Sequence, residues 1–213
     1  MRKHLLLILF AALCCNGLLA QDFDDEIGDD RSFRVAVGPK VGVGIGLGSH
    51  SNLENLSFTP SLSYQAGMAL NAHFGRRYEM SDGGTGWVGA EVEALYGMHA
   101  VKLGNNTLGI NCVEVPVLVQ FYPIPTLAFE AGVTMVKGLS CTPDEIRVEN
   151  HILGVGEMKP NDVMLSVGAN YKAPFGLSVG LRYNQGMSNL AGNFDTKIST
   201  VMFSVAYLFT IVK

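Results

Sequence analysis

Seven charged residues of this chain sit where charge is expensive. Arg34, Lys40, Glu91, Glu93, Glu114, Glu130 and Arg182 fall inside stretches of alternating apolar residues, with both signs represented. Such a set could neutralise itself as buried ion pairs, or with perturbed acidities could pass protons or ions. His50, His99 and His151 form a second set. Three imidazoles could hold zinc, or one could activate a hydroxyl such as Ser49 or Ser51 for acyl chemistry on a lipid. Neither chemistry has its usual signature, because the chain has no HExxH, paired CxxC or GxSxG stretch. Scattered histidines are ordinarily solvated loop residues, so no catalytic, cofactor-binding or metal-binding residue is expected. The acidic run Asp22–Asp30 matches a calcium loop only in charge and lacks its Asp-x-Asp-x-Asp-Gly spacing. It reads as a solvated leader.

The elements that must carry these charges repeat every second residue. In Phe33–Leu47 the odd positions Phe33, Val35, Val37, Pro39, Val41, Val43, Ile45 and Leu47 are all apolar, while the even positions are Arg34, Lys40, Ala36 and glycines. A period of two is a strand, since successive side chains leave a pleated backbone on opposite sides. This one is too long and too evenly apolar for a half-buried strand of about five or six residues. It fits a membrane-crossing strand, which needs roughly 9–11 tilted residues with lipid on one side. The same alternation recurs in Leu62–Phe74, Trp87–Met98, Asn111–Phe121, Leu127–Met135, Val163–Tyr171, Leu177–Asn184 and Thr200–Thr210.

Eight such segments predict an all-β fold, an eight-stranded antiparallel up-and-down transmembrane β-barrel, because only closure leaves no unpaired backbone edge in hydrocarbon. All seven charges lie on the non-lipid side. Arg or Lys on the lipid side at midplane would cost about 2–4 kcal/mol. Eight strands enclose a bore just wide enough for side chains to fill, so the seven are expected to form a structural charge network in a plugged lumen. Pro39 and Pro116 each remove one ladder donor and predict bulges. Short turns near Tyr122–Thr126 and Lys172–Gly176 mark the periplasmic end. Longer connections near Gly48–Pro60, Gly138–Pro160 and Gly186–Thr196 mark the outer end, where the three histidines would lie. Gly75–Gly86 is long for a periplasmic turn, and Ala100–Asn106 is short for an outer loop.

Residues 1–20 have the layout of a secretory signal: Arg2 and Lys3, then the apolar Leu5–Leu13, then small residues before a cut between Ala20 and Gln21. Position −3 is Leu18 rather than a small residue. A lipoprotein signal would need a small residue before its cysteine, but Leu13 precedes Cys14 and Cys14 precedes Cys15. Residues 21–31 then form the acidic periplasmic leader and 32–213 the barrel, one domain by length. The composition agrees: 48% hydrophobic, 16% charged and a net charge of −4. That balance leaves no basic footprint for nucleic acid. Cys112 and Cys141 survive processing, and export makes a disulfide between them chemically feasible. A hairpin near Pro123–Pro125 would put Cys112 opposite Thr134–Val136 and leave Cys141 in the loop beyond, so that loop would have to fold back to bring the two within about 7 Å.

The stretch Cys112–Tyr122 resembles the LEIPLLLKYY strand of the PorT-like outer-membrane β-barrel family. Gly176–Val179, Leu181–Gly186 and Asn189 resemble another strand of that family. The resemblance implies an eight-stranded barrel in the outer membrane of a bacterium with two membranes. The family's founding protein is associated with protein secretion across that membrane. Barrels of this kind usually end on an aromatic residue that the barrel assembly machinery reads. Here Ala206–Tyr207–Leu208–Phe209 is followed by Thr210–Ile211–Val212–Lys213, a departure from that ending.

The expected protein is therefore a monomeric, non-enzymatic, porin-like outer-membrane barrel without a cofactor. Its partners would be outer-membrane lipid, the assembly machinery and a surface or secretion partner met through the outer loops. Two rivals remain. A soluble exported lipocalin-like barrel binding a small apolar ligand would need an apolar lumen, a polar exterior and a Gly-x-Trp near an early strand, where this chain has Thr85 two positions before Trp87. An outer-membrane lipid hydrolase would need an outer-loop histidine with activity.

Overall fold

A computed structural model describes residues 33–50, 58–74, 88–103, 106–124, 126–142, 145–148, 151–154, 161–188 and 196–212. The expected signal peptide, its Ala20/Gln21 cut, the acidic leader and the Gly75–Gly86 connection lie outside the described residues. The strands are β1 (Phe33–His50), β2 (Phe58–Phe74), β3 (Val88–Leu103), β4 (Asn106–Ile124), β5 (Leu127–Thr142), β6 (Glu145–Val148), β7 (His151–Gly154), β8 (Asp162–Lys172), β9 (Leu177–Gly186), β10 (Thr196–Tyr207) and β11 (Phe209–Val212).

Sheet order runs β10-β9-β8-β5-β4-β3-β2-β1-β11, and β10 also pairs with β1, so the sheet closes. Every pairing is antiparallel. The barrel wall has eight staves, the eighth being β10 continued by β11. Thr210, Ile211 and Val212, which depart from the usual C-terminal ending, stay in the wall: β11 pairs with β1 through Val37↔Phe209 and Val35↔Val212. The short strands β6 and β7 form a separate hairpin within the β5–β8 connection.

The strands are longer at their outer ends than the alternation suggested. β5 runs to Thr142, which puts Cys141 in a strand opposite Ile110 rather than in a loop. The β4–β5 turn falls between Ile124 and Leu127, later than the expected hairpin, and the pairing then runs unbroken from Phe121↔Phe129 to Cys112, so Cys112 faces Gly138 and not Thr134–Val136; the register shift between Asn111 and Cys112 acts only beyond it. Cys112 is a free, buried thiol. The two prolines leave in-register gaps rather than the expected bulges. Across Pro116 the β3–β4 ladder skips from Val92↔Val117 to Leu95↔Glu114 without changing register. Across Pro39 the pairing passes from Lys40↔Ala206 to Val37↔Phe209, again in register, at the break between β10 and β11. A missing donor opens the ladder locally, and the pairs on either side hold the alignment.

Side-chain parity matches the sequence reading in every stave. Outward residues are apolar and exposed, among them Val43 at 56%, Leu62 at 66% and Val119 at 63%. Phe74, Phe121, Phe129 and Tyr171 are exposed near the ends of their strands on the short-turn side of the barrel. Phe74 and Tyr64 lie ten positions apart on β2. That separation corresponds to roughly 25 Å along the axis of a barrel with strands tilted about 40°, the height of a lipid-facing band. The outward lysines Lys102 and Lys137 are exposed beyond that band, toward the outer ends of β3 and β5. The short turn at 173–176 closes with Ala173 N donating to Leu177 O at 2.7 Å. Gly176 there has φ 97°, a left-handed conformation glycine adopts without a side-chain penalty.

Candidate functional site

Inward parity delivers the charges to the bore, and the bore is filled. Lys40, Glu91, Glu93, Glu114, Glu130 and Arg182 are all buried, and Arg34 is half-buried on the inner parity near the start of β1. Arg182 of β9 reaches across the lumen to β3 and sideways to β5. Its Nη1 and Nη2 donate to Glu93 Oε2 and Oε1 at 3.2 and 2.5 Å, and its Nε donates to Glu130 Oε1 at 2.6 Å. The planar guanidinium fork suits two carboxylates at once. From β1, Lys40 Nζ donates to Glu93 Oε1 at 2.8 Å and to Glu91 Oε1 at 3.2 Å.

A third cation completes the set, and the sequence reading placed it in a turn. Lys172, the last residue of β8 and only 14% exposed, sends its Nζ to Glu91 Oε2 at 3.2 Å, Gln120 Oε1 at 2.8 Å and the Tyr122 hydroxyl at 2.9 Å. It also lies over the Tyr122 ring, 5.4 Å from the centroid. The inner parity Ser166–Gly168–Asn170–Lys172 signals this position once β8 is extended by one residue. Neutral side chains satisfy the remaining oxygens. Asn71 donates to Glu91 at 3.2 Å and Gln120 donates to Glu91 at 2.8 Å, while Asn170 donates to Glu130. Gly168 makes room for this packing, since a Cβ there would lie 2.8 Å from Glu130 Oε1.

Among the described residues the bonded group contains three cations, Lys40, Lys172 and Arg182, and three carboxylates, Glu91, Glu93 and Glu130. Its formal charges cancel. Burying ions is costly unless each is paired and hydrogen-bonded, and here several partners meet each one. This arrangement can cross-brace staves that are not sheet neighbours and plug the bore. Apolar Leu95, Leu118 and Met202, each fully buried, fill further space in the lumen.

Glu114 belongs to a different group, displaced toward the outer end. His99, expected in or beside an outer loop, is an inward residue of β3, 3% exposed, with Nε2 2.7 Å from Glu114 Oε1. Cys112 Sγ lies 3.8 Å from the same oxygen and 3.7 Å from Gly97 O. The ring nitrogen Nδ1 of His99 is buried and has no hydrogen-bond partner among the described residues. His50 ends β1 opposite Thr196, and His151 begins β7 opposite Val148. Their side chains lie outside the described residues.

No sequence family and no curated protein matches the chain. Several solved structures share its barrel trace. The attachment invasion locus protein Ail of Yersinia pestis aligns over 84% of this chain and 100% of its own at 11% identity with a TM-score of 0.44. Neisserial surface protein A aligns over 80% and 96% at 7% identity with a TM-score of 0.46. The outer membrane enzyme PagL aligns over 79% and 98% at 16% identity with a TM-score of 0.44.

Proposed function

We propose that this chain is an integral outer-membrane β-barrel that does no chemistry on a substrate and works through its outer end, as a structural, adhesive or surface- or secretion-assembly element. One observation carries the reading: the exterior is an apolar band while the interior is a charge-neutral, multiply bonded plug of Glu91, Glu93, Glu130, Lys40, Lys172 and Arg182. A soluble barrel holding an apolar ligand would need the reverse distribution. With the bore occupied by side chains, what remains for partners is the outer rim and its connections, including the β6–β7 hairpin. The secretion-assembly arm draws on the resemblance of Cys112–Tyr122 and Gly176–Asn189 to the PorT-like strands. An outer band with exposed apolar residues in every stave supports the reading of a monomer set in lipid.

An epitope inserted between β6 and β7 tests the orientation on which this reading depends. Antibody should decorate intact cells. Decoration only after the outer membrane is permeabilised would put the hairpin on the periplasmic side and remove the basis for a surface role. The hydrolase alternative is tested by assaying lipid deacylation in the unaltered protein and in His50→Ala, His99→Ala and His151→Ala, with no activity expected in any of them.

A further inference from the structure

We infer that His99, Cys112 and Glu114 form a binding site for one borderline-soft divalent cation, of which Zn²⁺ is the natural fit. Three different donor types, an imidazole nitrogen, a thiol sulfur and a carboxylate oxygen, lie within 4.8 Å of one another and are all buried. Zinc takes this donor set at bond lengths of about 2.0–2.3 Å. Two ligands on one ion therefore lie at most about 4.6 Å apart, so the three converge with small side-chain movements. The backbone under them is rigid: Cys112 and Glu114 are alternate residues of β4 on one face, and Gly97↔Cys112 and His99↔Ile110 are ladder pairs with β3.

Two further observations point to a missing ligand. His99 holds a buried ring nitrogen without a partner among the described residues, an arrangement rare in a satisfied core. The six ions of the central plug bond one another, whereas Glu114 has His99 as its ion-pair partner. Charge also balances. A thiolate and a carboxylate cancel Zn²⁺ with the imidazole neutral, so binding releases the thiol proton. On its other side Cys112 packs with Val136 and Met164, an apolar wall that strengthens bonds to a cation by excluding water.

Cobalt(II) is the probe, because bonding to a thiolate gives it a charge-transfer absorption. The barrel is prepared from the full chain with Cys14→Ser, Cys15→Ser and Cys141→Ser, which leaves Cys112 as the only thiol, and its fold is checked by the heat-dependent shift in SDS electrophoresis. The expected result is a thiolate band saturating at one Co²⁺ per chain and bleached by Zn²⁺. His99→Gln and Glu114→Gln should each weaken binding by about tenfold or more. Absence of the band in the folded background, a band that does not saturate at one equivalent, or full affinity in both folded variants would overturn the site. If either variant fails to fold, the titration of the background decides alone.

Discussion

Two clusters of ionisable residues share one lumen, and they are satisfied to different degrees. Around Glu91, Glu93 and Glu130, each carboxylate meets at least one cation and at least one further donor, and the formal charges cancel within the group. Nearer the outer end, His99, Cys112 and Glu114 lean on one another, and a ring nitrogen is left over. The first group has the properties of a brace and the second those of a socket. Burial alone does not distinguish them, since both lie almost wholly out of solvent. The difference lies in how completely each donor and acceptor is used.

Mutations that cut the brace should cost most. Arg182→Met leaves Glu93 and Glu130 without their shared guanidinium and should lower stability by about 3–5 kcal/mol, read as the shift in urea midpoint of the folded barrel in detergent. A wild-type midpoint would mean that the plug does not cross-brace the wall. Next comes the outer face. Leu165→Arg, in the exposed apolar band of β8, should cost about 2–4 kcal/mol in lipid, measured by refolding into vesicles. A smaller effect follows at the socket, where His99→Phe removes one partner of Glu114 and should cost about 1–3 kcal/mol. A loss as large as that of Arg182→Met would make the two clusters equivalent and erase the contrast. Lys137→Ala, exposed on the outer parity of β5 beyond the band, should stay within about 0.5 kcal/mol.

Much of this was legible because a strand's side-chain period is two, a purely local property. Val41, Leu62 and Val119 outward and Glu91, Glu93 and Arg182 inward need no knowledge of neighbouring strands. Strand ends were less legible. Lys172 and His99 each fell just past an assigned strand boundary, and Cys141 lay in a strand extension. Least legible were the partners. Arg182 meets Glu93 across the bore, from β9 to β3, and that meeting depends on how the closed barrel is staggered. The proline gaps were missed for a related reason, since whether an absent donor shifts the register depends on the pairs flanking it.

The most direct test of the central claim, a closed barrel in lipid around a satisfied polar plug, is the mobility of the membrane fraction in SDS with and without boiling. A compact band that shifts only on heating is expected, because the closed ladder and the braced lumen resist detergent together. A protein recovered in the soluble periplasm with no heat-dependent shift would contradict it.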